Sequence, residues 1–377
     1  MRKLFVSAWC LLVLACNGAE PAAAPSTGAA GEGQGEGGIP SNAGAPASGG
    51  GGQPSAGSSS AGMSSGAGAA DLVGAAGTAG GGGAAGVVGG GGSGAGDGGS
   101  GGGGGAGGGF TYEPITGDQF DDMPIYDGSP PNFKAGAPKE ALNALGQFTN
   151  VSVPMLRRYA MDGSKATGFG YLVFPGGGYS LVDMQLHAAE LAKRVAPLGV
   201  AVFGLKYRVG GGTTNAARDA LLDAKRAIRL VKQNAAHWGV DVARLGVIGY
   251  SAGSHMTLNL AANFDAGDAG SADAIERFSS RPAFIGSMAT WAMGSKTSPF
   301  KFPSDVPPAF FCHAEDDKTA PIELPKAVAA QIQAQGVATQ LDFYATGGHS
   351  TCHPGDLSME GHNWPDKFWP WVQAVLH

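Results

Sequence analysis

In the last two thirds of the chain, short unbroken apolar runs alternate with longer stretches whose apolar positions recur every three or four residues. Gly170 to Phe174 and Val200 to Lys206 read as buried strands, with a helix expected between them over Met184 to Ala196. From about Asn215 to His237, the residues Ala217, Ala220, Leu221, Ala224, Ile228 and Val231 share one face at helical spacing. The apolar run Leu245 to Ile248 then leads into a helix-compatible run from Ala252 to Asn263. Further strands are expected at Phe284 to Trp291, Ala309 to His313 and Thr339 to Tyr344, with helices near Glu323 to Gln335 and Trp364 to Leu376. Alternation of this kind predicts an α/β fold, a mostly parallel central sheet with helices on both faces. Its active site belongs beyond the carboxyl ends of the strands.

Ahead of this region the pattern vanishes. Residues 1–16 combine a basic start at Arg2 and Lys3 with an apolar core from Leu4 to Leu14, too short to span a bilayer, and end in Val13-Leu14-Ala15-Cys16. That sequence resembles a bacterial lipoprotein signal cut before Cys16, which would then carry a lipid; an ordinary secretory signal cut near Ala15 or Ala19 is the alternative. Either one exports the protein. Residues 17–109 are Gly, Ala, Ser and Pro with almost no bulky side chain, too little apolar surface to offset the entropy of ordering. A disordered tether is expected, spanning on the order of 50 Å. Residues 110–377 are ample for a single catalytic domain.

Composition narrows the partners. From residue 110 onward 22 basic side chains face 25 acidic ones, without a basic stripe, so nucleic acid is not an expected partner. Of four cysteines, Cys10 and Cys16 lie in the signal. Cys312 and Cys352 remain and could form one disulfide in an oxidising compartment. Their neighbours His313 and His353 raise a Cys/His metal site, but the spacing matches no standard zinc set, and no metal or cofactor is expected.

The candidate chemistry centres on Gly249-Tyr250-Ser251-Ala252-Gly253, a G-x-S-x-G sequence between an apolar strand and a helix. A strand that turns sharply into a helix exposes its serine above a parallel sheet. Ser64 and Ser100 satisfy the same pattern inside low-complexity tracts, and neither has a strand before it or a helix after it. A serine hydroxyl needs a base to take its proton and a group to orient that base. Acidic Glu315-Asp316-Asp317 and the loop Gly347-Gly348-His349 each follow a predicted strand, which brings them to the rim where Ser251 stands. The turn Pro175-Gly176-Gly177-Gly178-Tyr179 follows another. Its Gly177 and Gly178, with Ala252 after the serine, offer backbone N–H groups for an oxyanion hole.

The segments FPGGGYS (Phe174 to Ser180), GVAVFGLKYR (Gly199 to Arg208), DAKRAIRLV (Asp223 to Val231), DVARLGVIGYSAG (Asp241 to Gly253), HAEDDKTAP (His313 to Pro321) and GGH (Gly347 to His349) carry a resemblance. Together they resemble α/β-hydrolases of the esterase group that includes acetylxylan esterases and the bacterial feruloyl-esterase-like family. The resemblance implies Ser251 as nucleophile, His349 as general base and Asp317 as acid, Asp317 being preferred because the family's acid stands four residues before the proline, here Pro321. Asp316 is the alternative acid and His353 the rival base. Glu315 is read as solvating its loop, and His187, His255, His313 and His362 as surface, packing or substrate-proximal residues. Ser254 stands where many relatives have glycine, which implies a helix slightly farther from the strand. The Glu-Gly pair of close relatives is absent, with Ala188 and Ala189 near that point.

The implied activity is hydrolysis of an ester through an acyl-enzyme, with acetyl or feruloyl groups on polysaccharide as the substrate the resemblance suggests. A prolyl-oligopeptidase-type peptidase or amidase uses the same triad. A catalytically silent hydrolase fold acting as a surface binding module is the reading from another class.

Overall fold

The structure, a computed structural model, describes residues 120–355 and 358–377. The expected signal, Cys16, the tether and residues 110–119 lie outside the described residues.

Eleven strands are described: β1 (Phe120–Pro124), β2 (Ala141–Leu142), β3 (Gln147–Thr149), β4 (Met155–Tyr159), β5 (Gly168–Phe174), β6 (Leu181–Asp183), β7 (Ala201–Lys206), β8 (Val240–Tyr250), β9 (Ile285–Met288), β10 (Ala309–Ala314) and β11 (Thr339–Tyr344). Eight of them form one sheet in the order β1-β4-β7-β5-β8-β9-β10-β11, and β2-β3-β6 form a small second sheet. From β7 to β11 every pairing is parallel, whereas β4 runs antiparallel to β7 and β1 antiparallel to β4.

The helices are α1 (Glu190–Val195), α2 (Ala216–Gln233), α3 (Ala252–Asn263), α4 (Glu323–Gln333) and α5 (Trp364–Val375). All seven residues of β5 are buried, and alternate side chains serve opposite faces, as the strand period of two requires. Leu172 and Phe174 join a core with Ala224 and Ile228 of α2, Met256 and Leu260 of α3, and Val328 of α4. Tyr171 and Val173 join another with Leu191 of α1 and Trp364, Phe368 and Val372 of α5. The sheet is therefore covered on both sides, and its central strands have no polar face to show water.

Two features depart from the sequence expectation. The helix expected over Met184 to Ala196 begins as a π-helical turn (Met184–Ala189), becomes α1 and ends in a 3-10 turn at Ala196–Leu198. The strands before residue 168 were not expected at all. In β4, Met-Leu-Arg-Arg-Tyr, the apolar run is broken by two charges, and the strand forms because those charges find partners beside it. Arg157 makes a two-pronged ion pair with Asp122 of β1, and the Arg158 guanidinium lies 5.6 Å from the Trp238 ring. A strand of this kind is specified by neighbours that sequence periodicity does not see.

Candidate active site

The carboxyl end of β8 makes the first part of the site. Ser251 takes φ 52° and ψ −116°, a conformation that costs a side chain of order 1–3 kcal/mol and persists only where the surroundings enforce it. Here they do. Its N–H donates to the Met288 carbonyl at 3.0 Å, and α3 starts at the next residue. The flanking glycines let helix and strand close up: a Cβ on Gly249 would stand 2.1 Å from the Gly253 carbonyl oxygen, and one on Gly253 would stand 1.9 Å from that of Phe174. The buried Ser254 hydroxyl donates to the Ser251 carbonyl at 2.7 Å and accepts from the Trp291 N–H at 3.0 Å.

The loops after β10 and β11 complete a hydrogen-bonded line. His349 Nε2 lies 2.8 Å from Ser251 Oγ, and His349 Nδ1 lies 2.7 Å from Asp317 Oδ2. The other oxygen of Asp317 accepts the backbone N–H groups of Thr319 and Ala320 at 2.8 and 2.9 Å. Burial pushes the Asp317 carboxyl upward, but the hydrogen bond and charge of His349 and the Ala320 N–H outweigh it and hold the pKa below the ordinary carboxylate value. An ionised Asp317 on Nδ1 fixes the tautomer that leaves Nε2 free to take the serine proton.

Asp316 takes a different part. Its two oxygens accept the N–H groups of Gly347 and Gly348 at 3.2 and 2.7 Å, which pins the His349 loop, while the ring itself meets Asp317. Glu315 meets Lys326 at 3.8 Å on the surface.

The Pro175–Tyr179 turn lies against the elbow: a Cβ on Gly176 would fall 3.3 Å from Ser251 Cβ and 3.0 Å from the Tyr250 carbonyl oxygen. Gly177 has φ 139°, where a Cβ would meet the Leu181 carbonyl oxygen at 2.2 Å, so only glycine fits. The turn is held by its carbonyls. Tyr207 Oη donates to Pro175 O at 2.7 Å, Asp183 N–H to Gly176 O at 3.1 Å, and Leu181 N–H to Gly177 O at 3.1 Å. Among the described residues the N–H groups of Gly177 and Gly178 have no acceptor. Ala252, as the first residue of α3, has no carbonyl one turn back to bond. These three donors can meet charge developing on a carbonyl oxygen.

Of the remaining histidines, His187, His255, His313 and His362 are buried and His353 is half-buried, whereas His237 and His377 are exposed. His187 packs flat on Tyr250 at 4.5 Å, with Nδ1 3.3 Å from the Gly176 N–H and 3.2 Å from the Asp183 carbonyl. Burial pushes its pKa down to about 4. His353, the rival base, lies edge-on to His187 and stacked with His362, and burial holds it neutral. His313 Nε2 donates to the Ala320 carbonyl at 2.7 Å beside Asp317. His255 meets Tyr179 Oη at 2.8 Å. Cys312 of β10 and Cys352, three residues after His349, are joined in a disulfide. Sequence reasoning missed His187, Asp183 and Tyr207 as supports of the glycine turn. Their only signal was the position of each near a strand end, which becomes informative once the sheet order is known. Among the described residues no group of histidine, cysteine and carboxylate side chains could hold a metal ion.

Residues 171–276 match the family model named BD-FAE. A stretch of 103 residues is 35% identical to endo-1,4-beta-xylanase B of Butyrivibrio fibrisolvens, covering 25% of this chain and 15% of that protein. Another of 83 residues is 28% identical to an acetylxylan esterase of Xylanibacter ruminicola, covering 22% of this chain and 17% of that one. The chain thus spans about a sixth of the length of these curated relatives. An acetyl ester-xyloside bifunctional hydrolase from Caldicellulosiruptor lactoaceticus has a similar structure, with a TM-score of 0.56 and 26% identity over 68% of this chain and 96% of that one. Esterase 2 of Thermogutta terrifontis, at a TM-score of 0.50 and 20% identity over 64% of this chain and 96% of that one, shares the fold. The chain has the α/β-hydrolase fold, and over residues 171–276 it is similar to the BD-FAE family.

Proposed function

We propose that the domain is a serine carboxylesterase. The observation that carries this reading is the unbroken line Ser251 Oγ, His349, Asp317, with contacts of 2.8 and 2.7 Å. Ser251 Oγ attacks the ester carbonyl carbon while His349 Nε2 takes its proton. The carbonyl oxygen gains the negative charge and is met by the N–H groups of Gly177, Gly178 and Ala252, each donor contributing about 3 to 4 kcal/mol to the transition state. Collapse breaks the bond to the alcohol oxygen, which leaves with the proton from His349. Water then repeats the sequence on the acyl-serine and releases the acid. Asp317 stays ionised throughout and stabilises the imidazolium.

Acetyl or feruloyl groups on polysaccharide are the substrates this reading favours, supported by the similarity to an acetylxylan esterase and to an acetyl ester-xyloside hydrolase. Export, with a lipid on Cys16, is part of the same proposal. The Cys312–Cys352 disulfide supports it, since such bonds persist in oxidising compartments.

Release of p-nitrophenol from p-nitrophenyl acetate, butyrate and octanoate tests the reading. Turnover by the full chain that vanishes in Ser251→Ala is expected, with the chain-length preference selecting the acyl group. A folded protein that turns over no faster than this variant would overturn it.

A further inference from the structure

A cleft of about 430 Å³ opens between α2 and α3 beside the active site, lined by Arg218 and Leu221, by His255 and Asn259, and by Pro299 and Phe300. His255 follows Ser251 by four residues at the start of α3, so the cleft begins one helical turn from the nucleophile. We propose that it is a subsite for a carboxylate-bearing sugar ring, a uronosyl residue in the alcohol part of the substrate.

The lining offers donors in excess. Tyr179 Oη lies 2.8 Å from His255 Nδ1, while Asn259 Nδ2 lies 3.2 Å from Nδ1 and 3.3 Å from Nε2. A neutral imidazole has one acceptor nitrogen. If Tyr179 donates to Nδ1, neither Asn259 N–H has an acceptor on the ring. If Nδ1–H donates to Tyr179, one Asn259 N–H can reach Nε2 and the other cannot. Turning the amide over places its oxygen on the ring N–H and leaves both amide N–H groups over. In every arrangement an amide donor remains.

Arg218 adds charge. Its Nε–H is committed to Asp219 at 2.8 Å, while the side chain is 48% exposed and lines the cleft. Asp219 itself is fully buried and also engaged by Arg208, Thr213 and Asn132. No aspartate or glutamate lines the cleft. A ligand with an anionic, acceptor-rich edge satisfies Arg218 and Asn259, and the apolar face of its ring covers Leu221 and Phe300.

Placing the ring in the substrate rests on the esterase reading, so binding is tested apart from turnover. Calorimetric titration of the full chain with methyl glucopyranosiduronate and with methyl glucopyranoside compares acid and neutral rings of one shape. The uronide is expected to bind at least fivefold more tightly, Arg218→Gln to remove that preference, and Leu221→Glu, which adds a like charge, to reverse it. Ser251→Ala should bind both as wild type does, and Arg218→Gln should cleave p-nitrophenyl acetate at the wild-type rate. Equal binding of the two rings, or a preference that survives Arg218→Gln, would overturn the subsite. Absence of p-nitrophenyl acetate turnover with the uronide preference intact would overturn the esterase reading alone.

Discussion

The two rims of the candidate site are built differently. On the serine side, Ser251 and the glycine turn are fixed by close backbone approach: Gly253 against Phe174, Gly249 against Gly253, Ser251 N–H on Met288. On the histidine side, the loop between β11 and α5 is fixed by side chains reaching in from elsewhere. Asp316 holds Gly347 and Gly348, the Trp364 indole donates to the Cys352 carbonyl at 2.9 Å, and Arg194 reaches the carbonyls of Pro354 and His362. The disulfide ties the same loop to the strand that carries the acid. A nucleophile needs one strained conformation, which five residues can encode. A base must sit in the middle of a long loop, and only distributed restraints hold it there.

The largest expected effect separates orientation from folding. Asp317→Asn keeps the shape of the side chain but lets the wrong tautomer form, so kcat on p-nitrophenyl acetate should fall roughly 10⁴-fold with the unfolding temperature nearly unchanged. On the serine side the opposite split is expected. Gly253→Ala forces α3 off Phe174 and should cost on the order of 3–5 kcal/mol, visible as a large drop in unfolding temperature together with loss of activity.

Breaking the disulfide probes the histidine rim. Cys312→Ala with Cys352→Ala removes a link across 40 residues and should cost about 2–4 kcal/mol. Activity should decline at a temperature below global unfolding, because the base loop loosens first; coincidence of the two transitions would mean that the bridge restrains the whole domain.

Acid should act on the serine rim. His187 and His255 are held near pKa 4 by burial, against 6.5 when exposed. The unfolded chain therefore binds their protons more readily, and the stability they contribute is present above about pH 6.5 and lost as pH falls toward about 4. Each ring accounts for up to about 3 kcal/mol over that window. His187 faces Asp183, His349 and His353 as well as Tyr250, and His187→Gln should flatten the fall of unfolding temperature between pH 7 and pH 4.5. Asp317, depressed below the ordinary carboxylate value, contributes stability that is lost only as pH falls below that range. The smallest effect is expected for Asp316→Ala. Loss of its two loop-holding hydrogen bonds should cost about 1–2 kcal/mol and roughly tenfold in kcat, far less than Asp317→Asn. Equal losses for the two aspartates would show that both orient the base.

How far the sequence could be read follows the same division. Strands β5, β9 and β10, β7 short of Lys206 and the second half of β8 are buried throughout, as apolar runs demand, so they were legible, as were the half-exposed edge strand β11 and the helix from Ala252 to Asn263. The edge strand β1 and its neighbour β4 were not, because Arg157 and Arg158 obscure the alternation of β4 and are reconciled only by Asp122 and Trp238. Asp316 and Asp317 are chemically identical neighbours, and composition could not divide their labour.

By itself the sequence determined the alternating order of strands and helices and the strained serine turn, because both rest on local periodicity and on glycine sterics within a few residues. Tertiary structure decided which carboxylate meets the imidazole, which buried histidines stay neutral, and what supports the glycine turn. Those outcomes depend on the distance and burial between groups far apart in the chain, such as His349 and Ser251, 98 residues apart and 2.8 Å in space, and no local pattern encodes that separation.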